Sequence, residues 1–204
     1  MKGLILKDIY VFGKSMRGYI GVIVFFLLAP FAGETWAFMS LYACMMVGAM
    51  AQSWISLDER SKWQSYVATM PVKKFDYVSS KYILTLIATG VVMAASAILN
   101  MICVLTTDYF RWADLIRTLA MQFSISCLAV AIQLPWIFKY GVEKARIAYY
   151  VMVLFVTGGA ILLDSSQDVM ALEGTALLGL CLLSALVYAL AWWLSIRFYE
   201  EREV

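Results

Sequence analysis

Asp58–Lys81, DERSKWQSYVATMPVKKFDYVSSK, is a charged, amphipathic island between two long apolar runs. Its reading decides the fold, because the rest of the 204-residue chain is strongly apolar: the whole is 63% hydrophobic and only 15% charged, with a mean hydropathy of +0.81. Soluble domains carry about half apolar and a quarter charged residues. The chain therefore reads as an integral membrane protein, and the island as one of its aqueous segments.

Outward from the island, apolar runs fall at about 18–32, 36–57, 77–106, 115–138, 147–163 and 175–196. Runs of this size suit helices that cross a hydrocarbon core about 30 Å thick. The expected fold is all-α: a polytopic protein of six transmembrane helices forming a single transmembrane domain over 1–204. The third run exceeds one crossing, which implies tilt or extension into water. Only Gly33–Thr35 separates the first two, and Glu34 suits a tight outer turn there. One span over Gly18–Leu57 would be about twice the length required.

Charge sets the orientation. Segments 1–17, 58–81, 139–146 and 197–204 hold 4, 5, 3 and 2 Lys+Arg, whereas 33–35, 107–117 and 164–174 hold 0, 2 and 0. The positive-inside rule then puts both termini and the island in the cytoplasm. In residues 1–17, Ile5, Ile9, Phe12 and Met16 share one helical face with Lys7 and Lys14 opposite. That pattern predicts an interfacial helix, Phe12 toward the acyl boundary and Lys7 and Lys14 toward headgroups. The first apolar run is full length and lacks a cleavage signature, so this segment is expected to be retained.

Several chemistries are excluded. The chain has no histidine, and no G-x-x-x-x-G-K-[ST] loop occurs, so imidazole catalysis, zinc-peptidase motifs and a nucleotide-binding site of its own are ruled out. Cys44, Cys103, Cys127 and Cys181 each lie in an apolar run without metal or disulfide spacing and read as small hydrophobes. No catalytic residue, metal site or cofactor is expected on this chain. A net charge of +2 gives no reason to propose nucleic acid.

Within the spans, Gln52, Asn100, Gln122 and Gln133 are the conspicuous polar groups. Such groups hydrogen-bond between helices by default, contributing on the order of 1 kcal/mol; the functional alternative is that they line a passage at a dimer interface. No ionisable residue sits mid-span, which argues against an ion-coupled carrier.

Inside the island, Ser61 and Gln64 have capping-box spacing and Pro71 disfavours helix at Met70, predicting a helix over about Lys62–Thr69; Ser56–Glu59 offers an earlier start. Trp63, Tyr66, Val67 and Met70 share a face. That face fits the membrane interface, where Lys73, Lys74 and Lys81 would meet lipid phosphates, and fits equally a groove on a cytoplasmic partner.

Five local features taken together (MKGLILKDIY at the start, DER closing the second span, the W-x-x-Y pair, Met-Pro, and SKY entering the third span) resemble the permease subunits of ABC-2 type transporters. The likeness is greatest to small bacterial members related to exporters of phenol-soluble modulins. The resemblance implies an elbow helix at 1–17 and a coupling helix at 58–70 seated in a separately encoded ABC ATPase, in a bacterial plasma membrane. It assigns ATPase coupling to Asp58, Glu59, Arg60, Lys62, Trp63 and Tyr66. A second cytoplasmic contact falls on KYGVEKAR, through Lys139, Tyr140, Glu143, Lys144 and Arg146. These last charges also serve topology alone, and Glu143 with Arg146 also suits a local i,i+3 pair. Larger members carry re-entrant helices before the sixth span, for which LDSSQDVMALEG here is short. The implied partners are the ATPase, which holds the ATP and Mg, a second permease copy or paralogue, the bilayer, and an amphipathic peptide cargo, with drug or lipid as the runner-up. A non-transporting scaffold or sensor that recruits a cytoplasmic protein would also use such an island.

Overall fold

The computed structural model describes residues 2–15, 17–33, 39–68, 74–106, 112–164 and 174–201. Among them run α1 (Lys2–Ser15), α2 (Arg17–Leu28, closed by a 3-10 turn Ala29–Ala32), α3 (Ser40–Arg60), α4 (Trp63–Ala68), α5 (Lys74–Thr106), α6 (Trp112–Tyr140), α7 (Val142–Asp164) and α8 (Gly174–Glu201). The protein is all-helical, as composition requires. Each of the six apolar runs carries a helix, α2, α3, α5, α6, α7 and α8. Three stretches, Lys74–Thr106, Leu115–Tyr140 and Gly174–Glu201, are long and apolar enough to cross a membrane by length and composition. With 33 residues, α5 is about 50 Å long and exceeds the hydrocarbon core, as its run foretold.

Two prolines sit where helix geometry allows. Pro30 lies at the start of the 3-10 turn that ends α2, where its missing N–H is not needed. Pro135 lies inside α6, which continues to Tyr140. Pro71, with Thr69, Met70 and Lys73, lies outside the described residues, as do Met16 and most of the 164–174 loop. Gly141 takes φ +85° between α6 and α7, a conformation that glycine reaches without steric cost. Its N–H donates to the carbonyl of Ile137 at 2.9 Å, closing α6 as α7 begins.

At the centre of the bundle, α6 packs against α8 most extensively and also against α3, α7 and α5. The α5–α8 seam is aromatic and hydroxylated. Tyr82 stacks on Trp192 with centroids 5.6 Å apart, meets Tyr188 edge-on, and shares a 2.6 Å hydrogen bond with Ser195. Trp192 donates to Ser79 Oγ at 3.1 Å, and Tyr188 donates to the backbone oxygen of Tyr82 at 2.8 Å. Each polar tip is thus satisfied inside an apolar wall, as a membrane interior demands.

The four span amides turn out to be buried, and three of them, Gln52, Gln122 and Gln133, bind helix to helix. Gln122 of α6 donates to Ser40 Oγ of α3 at 3.1 Å and to Ser96 Oγ of α5 at 2.7 Å, and Asn100 donates to the same Ser96 at 3.1 Å. Gln133 of α6 donates to Gln52 Oε1 of α3 at 2.6 Å. This second pair depends on Gly48, where a Cβ would stand 2.9 Å from Gln133 Oε1. Within this chain the three glutamines act as interhelical glue, the default for such groups, while Asn100 bonds within α5. Cys44, Cys103 and Cys127 are buried free thiols and Cys181 is half-buried, consistent with their reading as small hydrophobes.

Gln122→Leu removes the donor that Ser40 and Ser96 share, so it is expected to destabilise the bundle by about 1 kcal/mol. In a double-mutant cycle with Ser96→Ala, read by detergent-phase unfolding, the two losses should be less than additive by about half that amount.

Candidate functional site

The charged island and the N-terminal helix meet in a buried square of two cations and two anions. Lys81 Nζ lies 2.7 Å from Asp8 Oδ2 and 2.6 Å from Asp58 Oδ2; Lys7 Nζ lies 2.5 Å from Asp58 Oδ1 and 3.2 Å from Asp8 Oδ1. Tyr77 donates a further hydrogen bond to Asp58 Oδ2 at 3.1 Å. Three elements meet here: α1 gives Lys7 and Asp8, the last turn of α3 gives Asp58, and the first two turns of α5 give Tyr77 and Lys81. Side-chain exposures of 4%, 7% and 2% for Asp8, Asp58 and Lys81 mean that the square is desolvated, with Lys7 its one wetter corner. Four alternating charges sum to zero, and that neutrality is what makes burial of each tolerable.

Lys7 was expected among headgroups, and lipid phosphate was one of two settings left open for the island and Lys81; in the structure Lys7 pairs with Asp58 and Asp8, and Lys81 is buried at the same joint. The reason is Asp8. It sits on the inward face of α1 beside Leu4, which packs on the core, and two carboxylates entering a desolvated site draw in both ammonium groups. Of the apolar face read from the sequence, Ile9 is exposed, together with Leu6 and Tyr10, which that reading did not include. Phe12 and Lys14 lie on α1, and their side chains are outside the described set.

The short helix read over about Lys62–Thr69 is α4, Trp63–Ala68. The earlier start offered by Ser56–Glu59 is not used: no breaker precedes Ser61, so α3 runs on through Asp58, Glu59 and Arg60, and a helix over 58–70 does not form as one piece. Ser61 ends α3 instead of capping the next helix: its Oγ donates to the carbonyls of Leu57 and Asp58 at 2.8 and 3.2 Å. Lys62 then takes φ +53°, a left-handed residue that turns the chain into α4.

Six residues cannot hold a helix in water alone; α4 is held by its neighbours. Val67 is buried in the main core and Trp63 packs against that core. Lys7 Nζ stands 4.4 Å over the Trp63 ring, a cation–π contact that joins α4 to the charge square. Tyr66 lies against Trp63 with the rings tilted at 45° and their centroids 5.3 Å apart, and is 55% exposed. Of the six residues assigned to coupling, then, Asp58 is internal, Trp63 is half-buried, Glu59 is half-buried at the end of α3, and Arg60, Lys62 and Tyr66 face outward.

The second contact region is open. Lys139, Tyr140, Glu143, Lys144 and Arg146 are all exposed around the Gly141 turn, with Lys139 Nζ 4.7 Å over the Phe198 ring. Glu143 and Arg146 form no ion pair among the described residues, so the local i,i+3 pair is absent there. The sequence did not single out Asp8, Tyr77 or Lys81 as a site. A signal was available in the i,i+4 spacing of Tyr77 and Lys81 on one face, and in a lone acid within the otherwise basic first helix.

Compared with known proteins, residues 3–200 match a family model described as ABC-2 family transporter protein. No curated protein and no solved structure matches. The match takes in α1, the charge square, α4 and all but the last residue of α8.

Lys81→Met leaves two buried carboxylates facing one ammonium and is expected to destabilise the protein by about 3–5 kcal/mol. Adding Asp8→Asn restores neutrality and should recover a large part of that loss. Denaturation in mixed micelles would check both; a double variant as unstable as the single would show that packing, not charge balance, sets the effect.

Proposed function

The chain belongs to the ABC-2 transporter family as a permease component, and we propose that it is the membrane subunit of an ATP-driven exporter whose ATP is hydrolysed by a separate subunit docking at α4. The observation that carries this reading is the seating of α4. Tyr66 is exposed beside Trp63, and Trp63 lies on Lys7 of the charge square. A partner that grips Tyr66 and pushes α4 would press on a joint tied to α1, α3 and α5 together. An exposed aromatic flanked by outward Arg60 and Lys62 is the kind of anchor on which interfaces concentrate their energy.

In this proposal the exposed turn around Gly141 forms the smaller contact with the same ATPase through Lys139 and Lys144. The six helices on the apolar runs cross the membrane with both termini inside, α1 is the elbow and α4 the coupling helix of a single transmembrane domain, and a second copy or paralogue completes the passage. The resemblance to modulin exporters supports an amphipathic peptide as cargo.

Tyr66→Ala is expected to leave the bundle intact and weaken binding of the cognate ATPase by roughly thirtyfold, on the scale of an interfacial hot spot. Trp63→Ala with Tyr66→Ala should abolish co-purification. Undiminished ATPase binding and cargo-stimulated hydrolysis in the double variant would sink the coupling role. For topology, Thr106→Cys should react with a membrane-impermeant maleimide on intact cells and Glu143→Cys should not; the reverse pattern would overturn the orientation.

A further inference from the structure

Beside the joint, and on the other side of α3, a cleft of about 470 Å³ opens between α2, α3 and α7. Its lining changes character along its depth. Met46 and Ala49 lie at one end, Ser56 and Tyr150 nearer the other, and Arg60 and Arg146 stand where the two helices reach the charged end of the bundle. From Met46 to Arg60 the wall of α3 is about 21 Å long. The cleft is therefore a slot of mixed lining, apolar at Met46, Ala49 and Leu57 and bordered by tyrosine rings and hydroxyls, with a cationic mouth, and its volume lies in the range of small-ligand sites.

The two arginines come from segments the sequence assigned to different contacts, yet the fold brings them to one cavity. Neither guanidinium makes an ion pair among the described residues, and no carboxylate is among the residues that line the cleft. The deeper polar groups are already engaged: Ser53 donates to the carbonyl of Ala49 at 3.0 Å and shares a 2.7 Å hydrogen bond with Tyr19, while Tyr149 donates to the carbonyl of Met45 at 3.2 Å. The hydrogen-bonding capacity left over is concentrated at the mouth. Arginine forks match phosphate oxygens bidentately, and basic pockets between membrane helices take anionic lipid headgroups.

We infer that this cleft binds an anionic phospholipid, its phosphate held between Arg60 and Arg146 and an acyl chain lying along α3 toward Met46. The lipid is supplied by the leaflet that borders the mouth, so the site fills without a diffusing ligand. It occupies the flank of α3 opposite the charge square and contacts no residue of that square.

The experiment is native mass spectrometry of the full-length protein in detergent, titrated with phosphatidylglycerol, with phosphatidylcholine, and with inorganic phosphate. The wild-type protein should retain phosphatidylglycerol in preference to phosphatidylcholine. Arg146→Gln should weaken that retention by about fivefold, and Arg60→Gln with Arg146→Gln by about thirtyfold, on the scale expected for single basic contacts to anionic lipid. Both side chains are exposed and unpaired among the described residues, so folding is expected to survive; should the double variant not fold, Arg146→Gln alone carries the test. Equal retention of the two lipids, or an unchanged preference in the variants, overturns the site. Inorganic phosphate that displaces the lipid at equal concentration overturns the lipid assignment in favour of a free anion. An amphipathic peptide that competes stoichiometrically while phosphatidylglycerol shows no preference overturns it in favour of cargo. No ATPase is present in this measurement, so failure here leaves the permease reading untouched, and failure of the coupling variants leaves the lipid site untouched.

Discussion

Everything at the charged end of this bundle hangs on the electroneutral square of Lys7, Asp8, Asp58 and Lys81. A single buried charge there would cost several kcal/mol, and four of alternating sign at 2.5–3.2 Å compensate one another. Such a cluster is weak evidence for extra stability, since well-packed apolar residues often do as well. It is strong in geometry: each corner has two opposite charges to satisfy, so α1 cannot rotate or slide without exposing an unpaired ion. The first helix is thereby pinned to α3 and α5, and its outward Leu6, Ile9 and Tyr10 are held in a fixed register.

Away from the square, the bundle is held by different means. Apolar packing between helices gains little over packing against lipid tails, so association relies on close fit and buried hydrogen bonds. That is why α6 reaches α3 and α5 through Gln122 and Gln133, why Gly48 leaves room for an amide, and why the α5–α8 seam pairs aromatic faces with hydroxyl partners. The polar groups recur along the same inward faces, which gives each helix one orientation that satisfies them.

The helices themselves were legible because hydropathy reports burial in an apolar medium directly: each of the six apolar runs carries one. The tertiary use of charge was not. Lys81 and Asp8 are 73 residues apart, and Lys7 and Asp58 are 51 apart. Periodicity says which face a residue occupies but not what lies opposite, so lysines near a membrane boundary were read as meeting lipid. Ser61 failed for a local reason. A serine hydroxyl serves the end of one helix as readily as the start of the next, and the sequence offers no breaker between Asp58 and Ser61 to choose. The choice was made by Asp58, whose place in the square keeps the last turn of α3 wound. Arg60 and Arg146 converge for the same tertiary reason: on separate segments they read as two contacts, and only the packing of α3 beside α7 makes them one site.

The last turn of α3 therefore faces two ways. Successive residues advance about 100° around a helix, so Asp58 and Arg60 point roughly 200° apart: one into the square with α1 and α5, the other into the cleft with α7. Lys62 follows as the left-handed pivot to α4. On the proposals above, an ATPase acting on α4 and a lipid held at Arg60 would share a single short element, the last turn of α3. A displacement of that turn changes both the distance from Arg60 to Arg146 and the seating of Trp63 on Lys7. Whatever free energy links the two acts equally in both directions. Lipid that favours one position of the turn makes α4 easier to engage in that position, and an engaged α4 tightens or loosens the lipid by the same factor.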